Sequence, residues 1–116
     1  MSKEKSHNLF VYGTLRQGES RNYILGDLPF DIALLLDHKK VSPPELGFPL
    51  IIKQQDSKVE GEVYYGLDEE LIRKIDVMEG EGSLYHRIMV KVKTADGEMV
   101  DAYTYYPSDD LISSHT

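Results

Sequence analysis

Apolar residues fall along this chain in two rhythms, and each predicts a different kind of element. A continuous run, Leu9-Phe10-Val11-Tyr12, predicts a short buried strand over residues 8–12, stopped by Gly13 and punctuated again by Gly18. Residues 19–25 then predict one or two helical turns closed by Gly26. A second strand with a buried centre is expected over residues 30–41, which hold "DIALLLDHKKV". The stretch "SPPELGFP" holds three prolines and a glycine, which predicts a loop. Residues 50–53 and 59–65 read as two separate strands, the second placing Val59, Gly61, Val63 and Tyr65 on one face. Residues 84–93 and 99–106 read as a hairpin turned at Asp96-Gly97. The tail from Pro107 is polar and is expected to fray.

Between the strands the rhythm changes to that of a helix. "LDEELIRKIDVMEG" carries Asp68 as N-cap, Glu69 and Glu70 in the first turn, and Gly80 just past the end. Leu71, Ile72, Ile75 and Met78 form its apolar stripe. Glu79 follows Ile75 by four residues and Leu71 by eight, so it shares that face in the last turn. A carboxylate there meets the negative end of the helix dipole and a dry surface. Both raise its pKa, and a general base works best with a pKa near the working pH. Position alone leaves a second reading open, in which Glu79 snorkels at the helix end and pairs with Arg87 or a lysine.

Size and composition narrow the rest. A chain of 116 residues closes one core, so a single domain is expected over residues 8–106, after a polar segment 1–7 and before a tail 107–116. A net charge of −7 argues against a general nucleic-acid binder. No apolar run is long enough to span a membrane, and the first residues lack an apolar signal core, which makes the cytoplasm the default location. The absence of cysteine excludes thiol catalysis. Asp76 and Glu79 lie three apart and could form a carboxylate pair or a metal edge. Without further ligands at metal spacing, however, no metal is expected. The Gly13 loop lacks the Gly-Lys-Ser/Thr ending of a phosphate-binding loop. Tyr103 and Tyr105 share one strand face and Tyr106 takes the other, a pattern that suits a core and also a pocket wall.

Taken together, "VYGTLRQG", "GFPLI", "VEGEVYYGL", "IDVMEGEGSLYHR" and "AYTYY", in that order, resemble the gamma-glutamyl cyclotransferase superfamily, particularly its short gamma-glutamylamine cyclotransferase-like branch. The resemblance runs from about Leu9 to Tyr106. It implies an α+β fold: a partly closed, mainly antiparallel β-barrel with a few short helices and the site at one end. It implies cleavage of a gamma-glutamyl amide by the substrate's own α-amine, releasing 5-oxoproline and a free amine without a cofactor. The family's catalytic glutamate falls at Glu79. Its glutamyl-binding loop falls on Tyr12, Gly13, Thr14 and Leu15, with Tyr85 and Tyr105 expected in the substrate pocket. Gly13 is expected to supply an unusual backbone and a close approach to substrate. The alternative is a non-enzymatic module that holds a glutamyl-like carboxylate on the same scaffold. The expected partner is a small gamma-glutamyl molecule, with no nucleic acid and no membrane, in a monomer or weak homodimer.

Overall fold

The computed structural model describes residues 6–46, 49–82 and 84–115. Five strands, β1 (His7–Val11), β2 (Phe30–Val41), β3 (Leu50–Leu67), β4 (Tyr85–Thr94) and β5 (Met99–Pro107), close a barrel in the order β1-β3-β2-β4-β5. All pairings are antiparallel except the closing one, where β5 meets β1 in parallel at Leu9 and Tyr103. Two helices, α1 (Glu69–Glu79) and α2 (Asp109–His115), and a 3-10 turn at Asn22–Leu25 complete the described chain.

Strand alternation divides the apolar residues into two layers. Phe10, Ala33, Leu35, Val59, Val63, Val92 and Ala102 come from all five strands and from no helix, so they fill the barrel interior. Leu9, Val11, Tyr64, Leu67, Tyr85 and Tyr105 point the other way, against Ile72 and Ile75 of α1, Leu25 of the 3-10 turn and Leu111 of α2. The barrel is narrow enough that Gly61 is required for space. A Cβ there would lie 2.3 Å from the Val11 carbonyl oxygen and 2.7 Å from the Phe10 ring. The Phe10 ring thus occupies the volume that any other residue at 61 would claim.

The helix α1 follows its sequence signals closely. Asp68 accepts a hydrogen bond from the Leu71 amide at 2.8 Å, and Gly80 closes the helix in the left-handed region at φ 68°. The hairpin between β4 and β5 turns at Gly97, with φ 91°.

Three expectations need correction or a boundary. The two strands expected at residues 50–53 and 59–65 are one strand, β3. The polar stretch between them is absorbed as a bulge: Leu36 faces Lys58, yet His38 faces Lys53. Asp37 and Asp56 take positive φ there, and the Asp56 amide donates to the Asp37 side chain. The tail does not fray through residue 115. Ser108 caps α2 by accepting from the Leu111 amide, Asp109 and Asp110 occupy the first turn, and Leu111 is buried. Gly47 and Phe48 of the expected loop and of "GFPLI", and Ser83 of the segment after α1, lie outside the described residues.

Candidate active site

Because β1 and β5 run parallel and β4 runs opposite to β5, the ends of β1 and β5 and the start of β4 share one end of the barrel. The last residue of α1 reaches the same end. A cleft of about 270 Å³ opens there, and Tyr12, Gly13, Thr14, Leu15, Glu79, Tyr85 and Tyr105 all line it. The glutamate, the loop residues and the two tyrosines named for the site from the family resemblance therefore meet the same concavity, whereas Asp76 does not line it.

Glu79 keeps 16 % of its side chain exposed, and burial raises its pKa. Its partner is not Arg87 but Arg21, whose guanidinium lies 3.1 Å from a Glu79 oxygen and pulls the pKa back down. Arg87 is held elsewhere. It donates to Asp76 at 2.8 Å, and its guanidinium lies over the Tyr103 ring. Asp76 also accepts from the Tyr105 hydroxyl at 2.6 Å. The carboxylate pair considered for Asp76 and Glu79 is thus divided between two cations, and no metal-ligand cluster occurs among the described residues. Asp76 ties α1 to β4 and β5. Asp76→Ala should lower stability by about 1–3 kcal/mol, the scale for stranding a partly buried charged donor and a hydroxyl. Urea unfolding checks this.

The tyrosines are wall and scaffold at once. The Tyr12 hydroxyl donates to the Tyr105 carbonyl at 2.6 Å, and the Tyr85 hydroxyl donates to the Pro49 carbonyl at 3.1 Å. Burial pushes the pKa values of Tyr12, Tyr85 and Tyr105 upward, with Glu79 adding to each. All three stay neutral through the physiological range.

The loop after β1 is a turn held from behind. The Gly13 carbonyl accepts from the Arg16 amide and from Arg16 Nε, both at 3.1 Å. The Thr14 carbonyl accepts from the Arg21 amide at 2.8 Å, and the Leu15 carbonyl from the Asn22 side chain at 2.9 Å. In a trans peptide the C=O and the next N–H point in opposite directions. Securing the Gly13 and Thr14 carbonyls inside the turn therefore turns the Thr14 and Leu15 amides away from its interior. Gly13 does not supply the unusual backbone expected of it, since its φ is not positive. What it supplies is room: a Cβ at 13 would lie 3.2 Å from the Pro49 ring.

Arg21, Pro49, Met78 and Leu84 also line the cleft and were not among the site residues named from the sequence. Arg21 and Glu79 are 58 residues apart, and only the fold brings them together.

The profile described as "Gamma-glutamyl cyclotransferase, AIG2-like" matches residues 9–115. Gamma-L-glutamyl-butirosin B gamma-glutamyl cyclotransferase from Niallia circulans is 33% identical over 119 residues, covering 92% of this chain and 71% of that protein. Protein AIG2 C from Arabidopsis thaliana is 29% identical over 113 residues, covering 94% of this chain and 67% of its own. A solution structure of an Arabidopsis thaliana protein matches with a TM-score of 0.77 at 29% identity, covering 92% of this chain and 65% of that one. The chain thus spans about two thirds of the length of these relatives. A barrel of the same kind, with a matched profile across nearly every described element, leaves one assignment: the chain belongs to the gamma-glutamyl cyclotransferase, AIG2-like family.

Proposed function

We propose that the protein is a gamma-glutamyl cyclotransferase, with Glu79 as general acid and base and the Gly13–Leu15 backbone as the anion-binding element. The observation that carries this reading is that the mostly buried Glu79 carboxylate shares one small cleft with Gly13, Thr14 and Leu15, whose Gly13 and Thr14 carbonyls are bonded inside the turn. The names of the relatives, which include gammaglutamylaminecyclotransferases of zebrafish and human, support the same reaction class.

The chemistry asks little else of the protein. A free α-amine has a pKa near about 8, so it arrives mostly protonated and unreactive. Glu79 takes that proton. The amine nitrogen then attacks the γ-carbonyl carbon of the same molecule, closing a five-membered ring and placing negative charge on the carbonyl oxygen. Loop amides can stabilise that oxygen or the substrate's α-carboxylate. The intermediate collapses by breaking the bond to the original amide nitrogen. The ring nitrogen, which carries two hydrogens after attack, gives one up. With that proton and the one Glu79 returns, the leaving group departs as an ammonium ion. Both nitrogens belong to one substrate, so holding it folded supplies much of the acceleration.

Gamma-glutamyl amines and gamma-glutamyl amino acids are the substrates this reading favours. Incubation with a panel of both, with 5-oxoproline followed by mass spectrometry, tests it. Release from at least one member is expected. Binding of a glutamyl ligand without any 5-oxoproline would leave only a carboxylate-binding module.

Arg21 gives the pH dependence a sign. Glu79 must be ionised to accept the amine's proton, so kcat/KM should rise with pH through its raised pKa. Arg21 holds that pKa down. Arg21→Met should therefore shift the acid limb of kcat/KM to higher pH. An unmoved limb would mean that another group titrates in it.

A further inference from the structure

We propose that Lys40 is a positioning residue for the anion-binding loop: its ammonium holds the Tyr12 carbonyl from behind and so turns the Gly13 N–H into the cleft. Lys40 comes from β2, outside the segments that line the cleft, and its Nζ lies 3.1 Å from the Tyr12 oxygen. The Tyr12 carbonyl and the Gly13 amide belong to one trans peptide, since no described bond is cis. They point in opposite directions. With the carbonyl drawn toward Lys40, the amide must face the other side.

The linings of two concavities fit this. Residues 12–15 line the cleft, whereas Arg16, Lys39 and Lys40 line a separate open basin. Arg16 fastens the next carbonyl, that of Gly13, by the same means. Two successive peptides thus each have a cationic side chain on their carbonyl. A cation there also polarises the peptide and strengthens its N–H as a donor. A lysine on a barrel wall ordinarily extends into water. Lys40 is instead partly buried beside Arg16, and both burial and that neighbour lower its pKa. Residue 12 is fastened at its other end as well, because its hydroxyl donates to the Tyr105 carbonyl. The peptide has little freedom to rotate. Together with the Thr14 and Leu15 amides, the Gly13 amide makes three successive donors facing one anion.

The identity of the anion rests on the proposed cyclotransferase reading; the orientation of the peptide does not. The test uses the full chain labelled with ¹⁵N, as the parent, Lys40→Met and Lys40→Arg. Each is titrated with 5-oxoproline and with L-glutamate while the Gly13, Thr14 and Leu15 amides are followed by NMR. In the parent, these three amides are expected to move on titration. In Lys40→Met the Gly13 signal should already be displaced without ligand, and affinity should fall about ten-fold or more, the scale of one charge-assisted hydrogen bond. Lys40→Arg should recover part of it. Where turnover is measured, KM should rise while the pH at which kcat falls stays in place, because Glu79 is untouched.

Parent-like affinity with an unmoved Gly13 signal in Lys40→Met would overturn the proposal. So would displacement of amides throughout the barrel with a matching loss of melting temperature, which would make Lys40 a plain structural tie. A parent that binds neither ligand overturns it too. Binding at the loop without 5-oxoproline from any gamma-glutamyl compound would remove the enzymatic reading and leave the Lys40 clamp standing.

Discussion

Glu79→Gln should reduce turnover by about 10²-fold or more, the usual scale for general acid–base catalysis, and leave the fold at least as stable as the parent. The swap keeps shape and polarity and removes the charge and, with it, the base. Its effect on stability combines two opposed contributions. Removing a charge from the C-terminal end of α1 and from a partly dry site gains a few tenths to about 1 kcal/mol. Losing the pair with Arg21, which is nearly half exposed, costs about 0–1 kcal/mol. The balance is therefore neutral to slightly favourable. Its pH dependence has a definite direction. The folded-state pKa of Glu79 is raised, so the ionised parent carries a penalty that is complete above that pKa. The advantage of the glutamine should shrink as pH falls through the raised pKa and vanish below the ordinary carboxylate range. Thermal melts across pH, with 5-oxoproline assays alongside, check both halves. A variant that forms 5-oxoproline at the parent rate would exclude Glu79 as the base.

The parts of the fold legible in the sequence are those set by local chemistry. Asp68, the apolar stripe of α1 and Gly80 act within a few residues of one another, so the helix and the facing of Glu79 could be derived before any contact was known. The Asp96-Gly97 turn is of the same kind, with Gly97 at positive φ. What stayed hidden depends on distant partners. "QQDSK" is polar and reads as a break, yet β2 pairs on both sides of it, so the strand continues through a bulge. Ser108-Asp109-Asp110 is a helix start in its own right, but the short segment after it gains its stability from burying Leu111 against the barrel. The site divides in the same way. Glu79 and the Gly13 loop could be singled out as candidates from their own segments. Arg21 on Glu79 and Lys40 on the Tyr12 carbonyl are ordinary surface residues in the sequence and acquire a role only through tertiary placement.

The two glycines should respond to alanine differently in melting temperature, with the larger loss at the one that does not line the cleft. Gly13 borders the cleft, but its φ is ordinary and its added Cβ would meet only the edge of the Pro49 ring at 3.2 Å, a contact that a shift of a few tenths of an ångström relieves. Gly13→Ala should change the melting temperature little, and its cost should appear as a raised KM. Gly61 has no such latitude. Its Cβ would stand 2.3 Å from the Val11 carbonyl oxygen, which is backbone in a paired strand, and within 3 Å of two Phe10 ring atoms. Neither neighbour can retreat: the ring is enclosed in the barrel, and moving Val11 breaks the pairing with Glu62. Overpacking of this kind costs about 1–3 kcal/mol and more where backbone is involved. In a domain near 100 residues, each kcal/mol lowers the melting temperature by about 4–8 °C. Gly61→Ala should therefore melt roughly 10 °C or more below the parent. Val11 directly precedes the Tyr12 peptide that Lys40 holds, so any relaxation also displaces the loop amides. Residual activity at low temperature should accordingly show a raised KM in the molecules that remain folded. A Gly61→Ala protein that melts with the parent would mean that β1 and β3 can part at this point without cost, and the packing described for the barrel interior would be wrong.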